Sequence, residues 1–220
     1  MHIEPRPAGQ PMPHHPPHTP HLRPPKPPGN EGLRSIASTV AILLIAPLIA
    51  ILLTAFVFQS YQVDGPSMNT TLHNNDRLIV WKLPRTWSKI TGHDYTPKRG
   101  DIIVFTEARL SEFGQDPSKQ LIKRVIGLPG DRVTVHDNAV TVYNAQYPDG
   151  FNPDTTLPYH RTAADTAGVL DIVIPQHEIF VLGDNRPNSL DSRSFGPVET
   201  KNIVGKLVVR ILPLSKAERF

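Results

Sequence analysis

The sequence predicts a mainly β domain behind a single membrane-spanning helix, and three observations carry that prediction. Residues 36–58 run without one charged side chain. Beyond them, short apolar and β-branched runs recur between turn residues. Before them lies a stretch dominated by proline and histidine.

Residues 1–34 hold 11 of the 24 prolines and half of the ten histidines, with almost no large apolar residues. Such a composition buries too little surface to offset chain entropy, so the region reads as a disordered cytoplasmic tail. At about 1.5 Å per residue, the uncharged stretch 36–58 is long enough for a roughly 30 Å hydrocarbon core. It exceeds the ~7–15-residue apolar core of a cleaved secretory signal. Its outer end, Phe56-Val57-Phe58-Gln59, also lacks the small residues of a cleavage site. It therefore reads as an uncleaved single-pass anchor, in which Pro47 is tolerated as it would not be in a soluble helix. Arg6, Arg23, Lys26 and Arg34 precede the span, and Arg77 is the first basic residue after it. The positive-inside rule then predicts a cytoplasmic N-terminus and an extracytoplasmic domain over 60–220.

Removing the four basic and two acidic residues of the tail from 23 Lys+Arg and 20 Asp+Glu leaves 19 against 18. That balance is no footprint for a polyanion, and no nucleic-acid partner is expected. The absence of cysteine excludes disulfides, a thiolate metal site and a cysteine nucleophile together. A metal site from His14, His15, His18 and His21 has no evident scaffold, and no metal or cofactor is expected.

In the external part, strands are predicted over 77–81, 101–105, 121–126, 132–136, 139–143, 171–174, 178–182 and 203–212. Val133-Thr134-Val135-His136 and Val140-Thr141-Val142-Tyr143 flank Asp137-Asn138 and read as a hairpin. Residues 144–170, rich in Pro, Asp, Thr and Ala, read as a surface excursion. Trp81 and Trp87 both fall in Val80-Trp81-Lys82-Leu83-Pro84-Arg85-Thr86-Trp87. They are either one core and one surface residue, or part of a patch that dips into lipid headgroups.

Three segments place polar residues where a plain β domain needs only turns. They are Gly65-Pro66-Ser67-Met68-Asn69-Thr70-Thr71-Leu72, Lys123-Arg124-Val125-Ile126-Gly127-Leu128-Pro129-Gly130-Asp131, and Gly183-Asp184-Asn185-Arg186-Pro187-Asn188-Ser189-Leu190-Asp191-Ser192-Arg193-Ser194-Phe195-Gly196. Most serines in loops only bond their own backbone, so Ser67 alone is weak evidence. Lys123 is more unusual, because strand periodicity puts it on one face with Leu121 and Val125. Its stem could lie on the sheet while the charge reaches water. Alternatively, burial could lower its pKa until the neutral amine serves as a base.

These segments, in this order and behind an N-terminal anchor, resemble the signature boxes of the type I signal peptidases. Ser67-Met68 with Thr71-Leu72 is similar to the nucleophile box, and Arg99-Gly100-Asp101-Ile102-Ile103-Val104-Phe105 to the strand box after it. The segments 123–131 and 183–193 are similar to the lysine box and to the Gly-Asp-Asn…Ser-x-Asp-Ser-Arg box. The resemblance covers residues 36–212 and implies a membrane-bound serine endopeptidase that removes signal peptides after Ala-x-Ala type sites. It implies Ser67 as nucleophile, Lys123 as general base and the Ser67 backbone N–H as oxyanion donor. Ser189 would orient the lysine amine, Asp191 and Arg193 would support the loop as an ion pair, and Asp184 and Asn185 would belong to the same loop. Implied partners are preprotein signal peptides and the lipid bilayer of the cell membrane, with the secretion translocon as a further one.

Two departures stand out. Gly65 occupies a position where some members carry a serine, and Thr70 stands where proline is usual. The latter leaves an Asn69-Thr70-Thr71 glycosylation sequon beside the nucleophile. Competing readings are a Ser/Lys self-cleaving repressor, a maturation protease for one secreted protein, and an inactive membrane-anchored homologue. The anchor opposes the first, and retention of Ser67, Lys123, Ser189 and Asp191 opposes the last.

Overall fold

The computed structural model describes residues 31–92, 95–158 and 165–220. The region 1–30, with its predicted disorder and its histidine cluster, lies outside them. By internal contacts the chain forms two units, Met1–Ile45 and Ala46–Phe220.

The described part of the first unit belongs to helix α1, Glu31–Leu52. Ile36, Val40, Ile42, Leu43, Leu44 and Ile45 are all exposed there, so no protein core covers them. A helix apolar all round is stable only in apolar surroundings. The 23-residue helical stretch Ser35–Val57 is long and apolar enough to cross a membrane. Pro47 lies inside α1 without ending it.

In the second unit α1 continues to Leu52, and one wider π-type turn, Leu53–Val57, follows. The helix stops at Phe58, whose φ of −127° and ψ of 148° are extended. Phe58 opens strand β1, Phe58–Gln62. Phe58 is the last residue of the apolar run, so the predicted anchor 36–58 includes the first residue of this strand.

The remaining strands are β2 (Arg77–Trp81), β3 (Ile102–Thr106), β4 (Gln120–Gly127), β5 (Arg132–His136), β6 (Ala139–Tyr143), β7 (Leu170–Val173), β8 (Glu178–Leu182), β9 (Val198–Glu199), β10 (Ile203–Leu212) and β11 (Glu218–Arg219). Five of them, β2, β5, β6, β8 and β10, have the predicted bounds. β3 begins one residue late because Asp101 turns back: its carboxylate accepts from the Lys98 N–H at 3.0 Å and pairs with Lys206 Nζ at 2.7 Å. The larger sheet runs β1-β2-β10-β3-β4-β8-β9, with β11 added on β10, and the smaller runs β6-β5-β7. The β5–β6 hairpin turns through Asp137 and Asn138 at φ 49° and 60°, the two left-handed positions of a type I′ turn.

One core packs Ile103, Phe105, Val125, Ile179, Val181 and Val198 of the larger sheet with Leu110 and Phe195. A second packs Val133, Val135, Val140 and Val142 of the smaller sheet on Ile126 and Phe180. A third gathers Val63, Met68, Leu72, Leu78, Ile102 and Leu207, with Phe220 against it.

Helix α2, Leu83–Thr91, has no counterpart among the elements predicted from the sequence. The signals were present, since Pro84 lies at the start and Gly92, at φ 71°, takes the left-handed position after the end. Within 144–170 the chain forms the short helix α3, Pro153–Thr156, and Phe151 bridges to Val142. Residues 159–164 of that stretch lie outside the described part.

Candidate active site

Ser67 sits in the turn that follows β1, and apolar burial holds that turn down. Met68 and Leu72 are fully buried, one helical turn apart, and each contributes about 1.5–3 kcal/mol by burial. Backbone bonds from Asn69 N to Pro66 O (2.9 Å) and from Leu72 N to Met68 O (2.8 Å) close the turn. Thr70 adopts φ 53°, a left-handed conformation that a proline, fixed near −65°, cannot take. The departure from the usual proline thus matches the local backbone. Gly65 has φ 99°, so a side chain there would strain the approach to Ser67. Among the described residues, the Ser67 N–H has no hydrogen-bond partner within the protein.

Lys123 lies in the middle of β4, paired with Ile103 of β3, and is 3% exposed. Its Nζ donates to Ser67 Oγ at 2.8 Å and to the Ile122 carbonyl at 3.0 Å. Burial lowers its pKa to about 8, because an ammonium group loses its hydration there. The carboxylates of Asp191 and Asp184 oppose that shift, while the Lys119 charge adds to it. An amine so depressed is neutral in about a tenth of molecules at pH 7, against ~0.03% at its ordinary value. A hydroxyl in hydrogen-bond reach of such an amine can hand over its proton.

The third segment runs from the end of β8 and closes over the serine from behind. Asn185 N donates to Ser67 O at 3.0 Å, and Asn185 Nδ2 donates to Pro66 O at 3.1 Å. Gly183 makes this approach possible: a Cβ there would stand 2.5 Å from Ser67 O and 2.2 Å from Ser189 Oγ. Asp191 accepts from the Gly183 N–H at 3.1 Å and pairs with Arg193 at 2.8 and 2.9 Å. Arg193 also donates to Arg186 O at 2.6 Å, which fixes the loop on itself. Ser189 Oγ is buried but has no hydrogen-bond partner among the described residues. The expected bond from Ser189 to the lysine amine is therefore not formed here, although the residue stands beside Gly183 and the Ser67 backbone.

Asp184 makes the deeper connection. Its carboxylate takes both Nε and Nη2 of buried Arg124, at 2.8 and 2.6 Å, and the Thr71 hydroxyl at 2.6 Å. One group thus ties the third segment to the residue after Lys123 and to the nucleophile turn. The role of Arg124 was missed from the sequence, although its placement beside Lys123 put it on the opposite face of the same strand. Two further arginines were missed. Buried Arg186 pairs with both oxygens of Asp154 at 2.6 Å, donates to Gly183 O at 3.0 Å and reaches Thr166. Buried Arg210 donates to Thr71 O at 2.7 Å and pairs with Asp76 and Glu218. Arg186 falls within the third segment, but its carboxylate partner Asp154 lies 32 positions away, and Arg210 reaches Asp76 and Thr71 O 134 and 139 positions away, so no local pattern shows these pairings.

A cleft of about 410 Å³ opens in front of Ser67 and Lys123. Residues 62–66 form one wall and Gln120–Lys123 of β4 another, with Tyr61, Leu78, Val104 and Leu121 as apolar lining. The β4–β8 ladder spans Arg124 to Gly127, so the cleft meets β4 before that ladder begins. An extended peptide could lie along this edge with its backbone bonded to the protein. Among the described residues no cluster of His, Cys, Asp and Glu could hold a metal ion.

Residues 36–212 match the family described as "Signal peptidase, peptidase S26". A signal peptidase I of Bacillus licheniformis is 30% identical over 192 residues, covering 84% of this chain and 93% of that protein. One from Leptolyngbya laminosa is 37% identical over 188 residues, covering 84% and 81%. A probable signal peptidase I-1 of Synechocystis is 34% identical over 191 residues, covering 82% and 85%.

Proposed function

We propose a serine/lysine mechanism on the premise that this chain belongs to the signal peptidase family, peptidase S26. Membership carries the coarser statement by itself: the chain is a membrane-anchored serine endopeptidase that removes signal peptides from preproteins. The finer reading concerns which atoms act, and the 2.8 Å contact between Lys123 Nζ and Ser67 Oγ supports it most directly.

In that reading neutral Lys123 takes the hydroxyl proton as Ser67 Oγ attacks the scissile carbonyl. The carbonyl oxygen becomes an oxyanion, and the unpartnered Ser67 N–H is the donor nearest to hand for it. Collapse breaks the peptide bond; the departing amine takes the proton from Lys123, which leaves an ester on Ser67. Water then attacks the ester with Lys123 again as base, and the serine is restored. Asp184, Asn185, Asp191 and Arg193 act as positioning residues through the bonds described above, and Ser189 lines the same corner.

The substrate lies extended along residues 120–123. Alternate side chains then face the apolar lining, which favours small residues at the first and third positions before the cut. The domain faces the extracytoplasmic side of the cell membrane, in keeping with the basic residues before the span. The secretion translocon would deliver the chain to be cut.

Incubating a preprotein in detergent with the full chain and with its Ser67→Ala variant tests the assignment. Cleavage by the variant should fall below a few per cent while thermal unfolding stays within about 2 °C. Substantial residual cleavage would refute the nucleophile.

A further inference from the structure

Among the described residues that line the cleft in front of Ser67, three carry charge: Asp64, Lys119 and Lys123. Lys123 belongs to the chemistry, and the other two have no part in it. Lys119 Nζ and Asp64 Oδ2 stand 3.5 Å apart, so the two walls of the cleft meet twice, here and at the 2.8 Å contact of Lys123 with Ser67.

Both residues rise from fixed backbone. Lys119 closes a turn in which its N–H donates to Asp116 O at 3.0 Å, and the Asp116 carboxylate accepts from the Ser118 N–H and hydroxyl at 2.8 and 2.7 Å. Asp64 is flanked by Val63, whose N–H donates to Asp76 O at 2.9 Å, and by Gly65, whose N–H donates to Asn74 Oδ1 at 3.0 Å. The pair itself is loose, with the Lys119 side chain 45% exposed and that of Asp64 83%. Exposed pairs contribute little, so a substrate side chain parts this one at small cost. Lys119, the more covered of the two, is screened less by water and salt and keeps more of its field in the cleft.

Lys119 immediately precedes β4, and strand alternation puts it on one face with Leu121 and Lys123. It is four strand steps from Lys123, about 13 Å, which is the length of four residues of extended substrate. A peptide lying along 120–123 with its first residue before the cut opposite Lys123 brings its third opposite Leu121 and its fifth opposite Lys119. We propose that Lys119 and Asp64 form a charged subsite for the fifth side chain before the cut, in which Lys119 favours an acidic group over a basic one. An acidic side chain takes the place of Asp64 beside Lys119. A basic one is repelled by Lys119 and finds only the more screened Asp64. The subsite rests on the peptidase reading and adds to the two positions that require small residues a third that reads charge.

Soluble peptides with alanine at the first and third positions and either Glu or Lys at the fifth test it, cut by the full chain in detergent. At about 0.01 M salt the Glu peptide should show a kcat/KM about threefold higher, carried by KM, and at about 0.5 M salt the ratio should approach one. Because both peptides meet the same enzyme, the effect of the Lys119 charge on Lys123 cancels in that ratio. Lys119→Glu should invert the preference. Lys119→Gln/Asp64→Asn, which carries neither charge, should abolish it and serves in place of Lys119→Glu should that variant misfold. The same swap at the fourth position, whose side chain points away from Lys119, should change kcat/KM by less than about 1.5-fold. Equal cleavage of the two peptides by wild type, a preference that survives either variant or high salt, or an equal effect at the fourth position would overturn the subsite alone. A wild type that cuts neither peptide would refute the catalytic reading and the subsite with it.

Discussion

Lys123 is a lysine placed where a lysine is unfavourable, and that placement is what suits it to be a base. Its folded pKa, about 8, lies below the ordinary 10.5. The unfolded chain therefore binds more protons than the folded one between these values, and stability should rise with pH across that window. Below about pH 8 the whole cost of burying the charge is present. Lys123→Met should thus abolish cleavage while raising the melting temperature at pH 7, the usual opposition of stability and activity at a catalytic site. A lower melting temperature in the variant would mean that the amine stabilises the fold. Thr70 gives a second residue-scale test. Its backbone is left-handed, so Thr70→Gly should keep activity and gain up to about 1 kcal/mol, whereas Thr70→Pro should lose both activity and stability. Higher activity in the proline variant, checked by cleavage and thermal unfolding together, would show that the turn is not built as described.

At the scale of elements, much of the site was legible because its parts are local. The turn of Ser67, the strand of Lys123 and the loop from Gly183 each carry their chemistry within a dozen residues. What joins them was not legible. The pairings of Arg124 with Asp184 and of Arg210 with Asp76 and Thr71 O connect residues 60 and 134–139 positions apart, and only topology brings them together. Helix α2 was hidden for another reason: it is only nine residues long, below the length at which a periodic run argues for a helix, although Pro84 and Gly92 mark its ends. The loop after β8 makes one element-scale prediction. Gly183→Ala would place a methyl group 2.2 Å from Ser189 Oγ and 2.5 Å from Ser67 O, so the loop or the serine must move. A displacement near 1 Å should lower kcat about 10²-fold. Circular dichroism should remain that of the folded β domain; activity within a factor of two of wild type would show that the close approach is dispensable.

At the scale of the molecule, the span and the β domain assign two environments to one chain. Protease added to intact cells or right-side-out vesicles should remove a tag at residue 220 and spare one at residue 1; the reverse pattern would contradict the charge argument. In the proposed mechanism the β domain acts through desolvation, since β3, β4 and the loop after β8 bury one amine and hold it 2.8 Å from one hydroxyl. The dependence of kcat/KM on pH for preprotein cleavage by the full chain reads that effect directly. A base titrating near 8 gains its neutral form as pH rises, so cleavage should climb through a single step centred near pH 8, roughly tenfold between pH 7 and pH 9. A profile flat across that range, or one still climbing at pH 10.5, would contradict a buried Lys123 as the base of Ser67.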